Sequence, residues 1–148
     1  MAFDLLRAME HVHGHAGWLS TAALVHPAIV LRSRTRRVGL TVLLSTLFVT
    51  LTSATGAWLY VGYRNQLKRD IFRDARDVGL LFERKEHLAF VALVLAWAGT
   101  VAYFASTRAK GDIQGSLRKI AFRAFACSAT LAILTAVFGT IVSVYRSF

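Results

Sequence analysis

The sequence holds a single cysteine in 148 residues, and that scarcity excludes several chemistries. With Cys127 alone no intramolecular disulfide can form, and neither a CxxC nor a CxxCH motif exists, which excludes a covalently attached c-type haem. Cys127 stands among Ala126, Ser128 and Ala129, where it reads as a small buried residue. Acidic residues are scarce as well: eight Asp plus Glu stand against 18 Lys plus Arg, for a net charge of +10. Such a balance suits nucleic acid when the cations line a soluble face. Here they lie between long apolar blocks, so nucleic acid is not the expected partner. Anionic lipid headgroups match better, at about 1 kcal/mol for each basic residue near the surface. No P-loop, dinucleotide glycine fingerprint, zincin H-E-x-x-H or Ser-His-Asp grouping appears, and no residue is assigned a catalytic role. The first ten residues carry Asp4, Arg7 and Glu10, unlike the basic start of a cleaved signal peptide.

Apolar residues make up 55% of the chain, and the mean hydropathy is +0.50. They are concentrated in blocks. A bilayer core of about 30 Å takes roughly 20 helical residues to cross, and four segments qualify. The expected fold is all-α, an integral membrane four-helix bundle in one domain, with helices over 5–31, 38–63, 87–106 and 120–144. The first holds His26 and the chain's one proline, Pro27. Between the second and third, Leu67, Ile71, Ala75, Val78 and Phe82 recur at helical spacing among charges, which predicts an amphipathic interfacial helix over 66–82. Small residues mark the second and fourth helices, including Ser45, Thr52, Gly56, Ser128, Gly139 and Thr140. In lipid these let backbones approach and hydroxyls bond across helices. Trp18, Trp58, Tyr60, Tyr63, Tyr103, Phe104 and Tyr145 fall near helix ends, as interfacial aromatics do.

Four crossings put both termini and the 64–86 connection on one side, called side A, with the other two connections on side B. Each side carries nine Lys plus Arg, but those of side B are denser, and seven of the eight acidic residues fall on side A. Side B is therefore read as cytoplasmic, with both termini opposite it.

The five histidines follow from this topology. His11, His13 and His15 precede the first crossing, and His87 opens the third, so all four sit at one level on side A. His15 and His26 differ by about 20° in direction along a helix, and His11 stands four residues before His15, so the three form a stripe while His13 points elsewhere. Two imidazoles from different helices at one level are what a b-type haem requires, and His15 with His87 is the candidate pair, with His11 or His13 as the substitute for a different helix register. Gly56 and Gly139 would leave room for the macrocycle. Arg64 and Arg84, with Lys68 and Lys85, would meet the propionates. Ionisable groups in the apolar layer, such as His26, are costly and tend to be functional. The same histidines, His15 and His87 foremost, suit a bare zinc or copper ion. Interfacial histidines are also often simply solvated. Five are far fewer than membrane di-iron oxygenases use.

HGHAGWLSTAALVHPAI in the first helix, TGAWLYVGYR closing the second and ERKEHLA opening the third resemble four-helix transmembrane b-type cytochromes and related uncharacterised bacterial membrane proteins. The resemblance covers about half of the chain. It implies a bacterial inner-membrane protein of an electron-transfer system, with haem b held by bundle histidines. Quinol or a soluble electron carrier would be its redox partner, and other membrane subunits would surround it. The diheme pattern is not met, because the second and fourth helices lack histidine. One bis-histidine haem is the most that the chain supplies. Two readings stand beside it: a cofactor-free structural subunit, and a metal-binding membrane protein.

Overall fold

The computed structural model describes residues 2–33 and 38–145, with side chains described from Leu5 onward. The described chain is helical throughout, with no strand. In order come α1 (Ala2–Val30), α2 (Gly39–Gln66), α3 (Lys68–Asp74), α4 (Arg76–Arg108) and α5 (Gly111–Tyr145). Three of them, α2, α4 and α5, are long and apolar enough to cross a membrane. The apolar part of α1 is shorter. Below Ala16 it carries Glu10, Arg7 and three histidines, and the fifteen residues from there to Val30 reach only about 23 Å at 1.5 Å per residue.

The long helices close a ring of contacts, α1 on α2, α2 on α4, α4 on α5 and α5 on α1. The core face of α4 runs through Ala92, Ala96, Gly99 and Tyr103, and that of α5 through Ala121, Phe125, Ser128 and Ala132. Alanine and glycine let these two backbones close, and Phe125, fully buried, fills the remaining space over Gly99. Hydroxyls then tie the helices. Ser20 Oγ and Thr52 Oγ1 lie 2.7 Å apart between α1 and α2, and Ser45 Oγ donates to the Ala23 carbonyl across the same seam. Thr46 Oγ1 and Thr100 Oγ1 meet at 2.7 Å between α2 and α4, and Ser128 Oγ donates to the Ala92 carbonyl between α5 and α4.

Three expectations change. The amphipathic stretch over 66–82 is two helices, because Ala75 leaves helical geometry (φ −154°, ψ 76°) and the chain folds back. Only 68–74 is a separate helix, and the rest begins α4. Gly79 lies one turn past the break at Ala75. It sits inside α4, where its missing side chain admits the Phe72 ring; a Cβ there would lie 2.7 Å from it. Two of the expected interfacial aromatics are buried instead. The Tyr103 hydroxyl accepts the Val38 N–H at 2.9 Å, and Tyr63 stacks on Phe82 with centroids 3.7 Å apart. Cys127 is exposed, since the α5 core face passes through Ala124, Ser128 and Ala129 and leaves position 127 outward.

Lys68 of α3 reaches back to Glu83 of α4 at 2.9 Å, and this hydrogen bond holds the Lys68 ammonium above its ordinary value of 10.5. A raised cationic pKa stabilises the fold below the unfolded value and loses that contribution as pH rises through the folded one. Lys68→Met is therefore expected to lower the melting temperature slightly at pH 7, since exposed pairs contribute little. The gap to the unsubstituted chain should narrow as pH rises past the ordinary lysine range. Thermal melts at pH 7 and beyond that range check this.

Candidate functional site

Helical phase decides which histidines face inward. On α1 the buried positions are Ser20, Thr21, Leu24 and Pro27, and Leu31 just past its end is buried too. His13 lies seven residues before Ser20, two turns earlier on the same face. His13 consequently enters the bundle, and its ring lies over Gly56 of α2. A Cβ at Gly56 would meet His13 Cε1 at 2.8 Å. His13 Nδ1 and Thr55 Oγ1 are 3.1 Å apart. The Thr55 hydroxyl donates to the Thr52 carbonyl at 2.8 Å, so its oxygen accepts, and neutral His13 carries its proton on Nδ1. The lone pair of Nε2 is left available.

His11, His15 and His26 do share a stripe, but that stripe is exposed, and so is His87. The His15 ring donates from Nδ1 to the His11 carbonyl at 2.8 Å, and the His87 ring donates from Nδ1 to the Glu83 carbonyl at 2.7 Å. Each ring is thus anchored to its own helix, with Nε2 directed away. Arg64 and Arg84 are exposed as well. Gly139 of α5 lies beside the Lys85 side chain, 3.7 Å from where a Cβ would stand. The room that Gly56 leaves is taken by the His13 imidazole.

What these helices enclose at side A is a cavity of about 70 Å³. Glu10 and His13 of α1, Tyr60 and Tyr63 of α2, and Lys85 and Glu86 of α4 supply its polar lining, and Val142 closes it from α5. Lys85 Nζ pairs with Glu86 at 3.1 Å and lies 4.4 Å above the Phe82 ring. The Tyr63 side chain is only 3% exposed, and its hydroxyl has no hydrogen-bond partner among the described residues. A drug-sized ligand needs a pocket of several hundred Å³. The residues as placed therefore do not fit a haem held inside the chain. No group of three or more His, Cys, Asp and Glu side chains suited to a metal ion occurs among the described residues.

From sequence His13 falls off the histidine stripe and Tyr63 reads as an interfacial aromatic, yet both line the cavity. The pointer to His13 was the small-residue face of Gly17 and Ser20, which marks the inward side of a helix packed among helices. For Tyr63 no such pointer exists, since a tyrosine near a helix end reads equally well as an interfacial anchor.

The chain matches no protein-family model, no curated protein and no solved structure. Function is therefore argued from the geometry alone.

Proposed function

We propose that the chain is a multi-pass membrane protein, in a cell membrane with both termini on the non-cytoplasmic face, that serves as a cofactor-free structural subunit of a larger membrane complex. In this reading α1 makes the fourth crossing. Its contacts run antiparallel to α2, from His13 at Thr55 through Ser20 at Thr52 to Ala23 at Ser45, so α1 lies alongside α2 at the same depths. The observation that carries the assignment is the outward histidine stripe of α1. His11, His15 and His26 face away from a bundle interior that small residues and hydroxyl bonds already close. An ionisable side chain in the apolar layer, as His26 is, is costly against lipid and is normally met by protein, so a neighbouring subunit against α1 accounts for the stripe. Purified alone, the chain is expected to be colourless and metal-free, and in mild detergent it should co-purify with larger membrane proteins. Sharp α and Soret bands on dithionite reduction of the isolated chain would overturn this.

One observation favours a second reading, a b-type haem shared with a partner. His15 and His87 each fix their ring through an Nδ1 bond to a backbone carbonyl, the arrangement by which metal-bound imidazoles are commonly oriented. That leaves Nε2 of each as a ligand at the outer surface, and the complex would pass electrons between quinol and a further carrier. Haem bands present in the complex and abolished by His87→Ala are the expected signature. A spectrum of the complex that His15→Ala and His87→Ala both leave unchanged removes this reading.

A further inference from the structure

The side A cavity contains a buried hydroxyl without a partner, and its size limits what can meet it. An engineered apolar cavity of about 150 Å³ binds benzene. At about 70 Å³ this one is less than half that size and suits small polar molecules. Water fits: each molecule takes about 30 Å³ in the liquid and needs two to four polar partners. The lining supplies them. From α1 come Glu10 and His13, from α2 the Tyr60 and Tyr63 hydroxyls, and from α4 Lys85 and Glu86. α3 presents Ile71 and α5 presents Val142, and Lys68 of α3 is held by Glu83. The hydroxyl of Tyr63, 97% buried, has no protein partner among the described residues, although buried polar groups are nearly always satisfied. Half-buried His13, whose Nδ1 is engaged by Thr55, lines the same cavity and keeps the Nε2 lone pair as an acceptor.

We propose that this cavity is a hydrated proton-binding site, in which ordered water joins the Tyr63 hydroxyl to the His13 ring and the Glu10 and Glu86 carboxylates. A proton enters from solvent through the partly exposed Glu86 carboxylate, crosses the water and settles on His13 Nε2, making an imidazolium. No electron moves and no bond between heavy atoms changes. The proposal is independent of the assignment to a complex, because it concerns groups inside one chain.

Tyr63→Phe distinguishes a wet cavity from a dry one by the sign of its effect. It keeps the ring and its stack on Phe82 and removes only the hydroxyl. If water satisfies that hydroxyl, the loss removes hydrogen bonds, and the full chain in micelles should melt roughly 2–4 °C lower. If the cavity is dry, deleting an unsatisfied group stabilises, and an unchanged or higher melting temperature overturns the proposal. The second measurement is the ring ¹⁵N titration of His13. Its midpoint should move by about half a pH unit or more in both Tyr63→Phe and Glu86→Gln. A midpoint unmoved in either variant breaks the link and overturns the relay.

Discussion

Gly99→Leu is expected to destabilise the protein by about 3 kcal/mol or more, the largest effect of any single substitution considered. Position 99 lies where α4 presses on α5. Even the first added carbon would stand 2.8 and 2.9 Å from the Phe125 ring and 3.3 Å from the Ala124 Cβ. Phe125 has 0% exposure, so its ring has nowhere to turn, and the helices must part instead. Overpacking a close-packed interior costs roughly 1–3 kcal/mol for small additions. Alanine at this position falls in that range, partly offset by about 1 kcal/mol of helix propensity over glycine. Leucine adds three more carbons to the same contact and exceeds it. Gly115→Leu is the control. Nothing lies within 4 Å of a Cβ at Gly115, and that variant should stay close to the unsubstituted chain. Denaturation of the three variants in one detergent ranks them.

Gly56→Ala is expected to cost about 1–3 kcal/mol for a related reason, but with a cost that a second substitution removes. The new methyl would meet His13 Cε1 at 2.8 Å and Nε2 at 3.3 Å, forcing the imidazole off Thr55. In a His13→Ala background the obstacle is gone, and Gly56→Ala should become neutral or mildly stabilising through helix propensity. The two substitutions are thus strongly non-additive, which a double-mutant cycle measures directly. Equal costs of Gly56→Ala in both backgrounds would show that His13 does not fill that space.

Helix content was legible in the sequence because long blocks without charge leave few alternatives. The stretch from Val38 to Tyr63 carries none, and it lies within α2 but for its cap. The rotation of α1 was harder to read. The spacing of His11, His15 and His26 defines one face, and the small residues Gly17 and Ser20 define another. Among packed helices it is the small residues that face inward, so His13 is enclosed and the stripe is not. The break at Ala75 left no trace for a related reason. Both α3 and the first turns of α4 lay apolar side chains, Ile71 and Phe82, toward the same cluster around Leu59 and Tyr63, and the helical spacing runs unbroken across the kink. Tyr103 could not be told from a surface aromatic, because its decisive contact, the Val38 N–H, lies 65 residues away.

The hydroxyl ties are unevenly distributed, and that has a mechanical consequence. They join α1 to α2, α2 to α4 and α4 to α5, and a further link runs from the Trp97 indole to Thr50 between α2 and α4. Within the described helices no hydroxyl bridges α1 and α5. Prising that last seam apart forfeits no hydroxyl tie, though Arg118 Nη2 still donates to the Ser33 carbonyl just past α1, while parting any other also forfeits hydroxyl bonds averaging about 0.6 kcal/mol apiece in membrane bundles. The ring thus has three seams pinned by hydroxyls along their length and a fourth that can slide on its packed side chains, held at one end by Arg118.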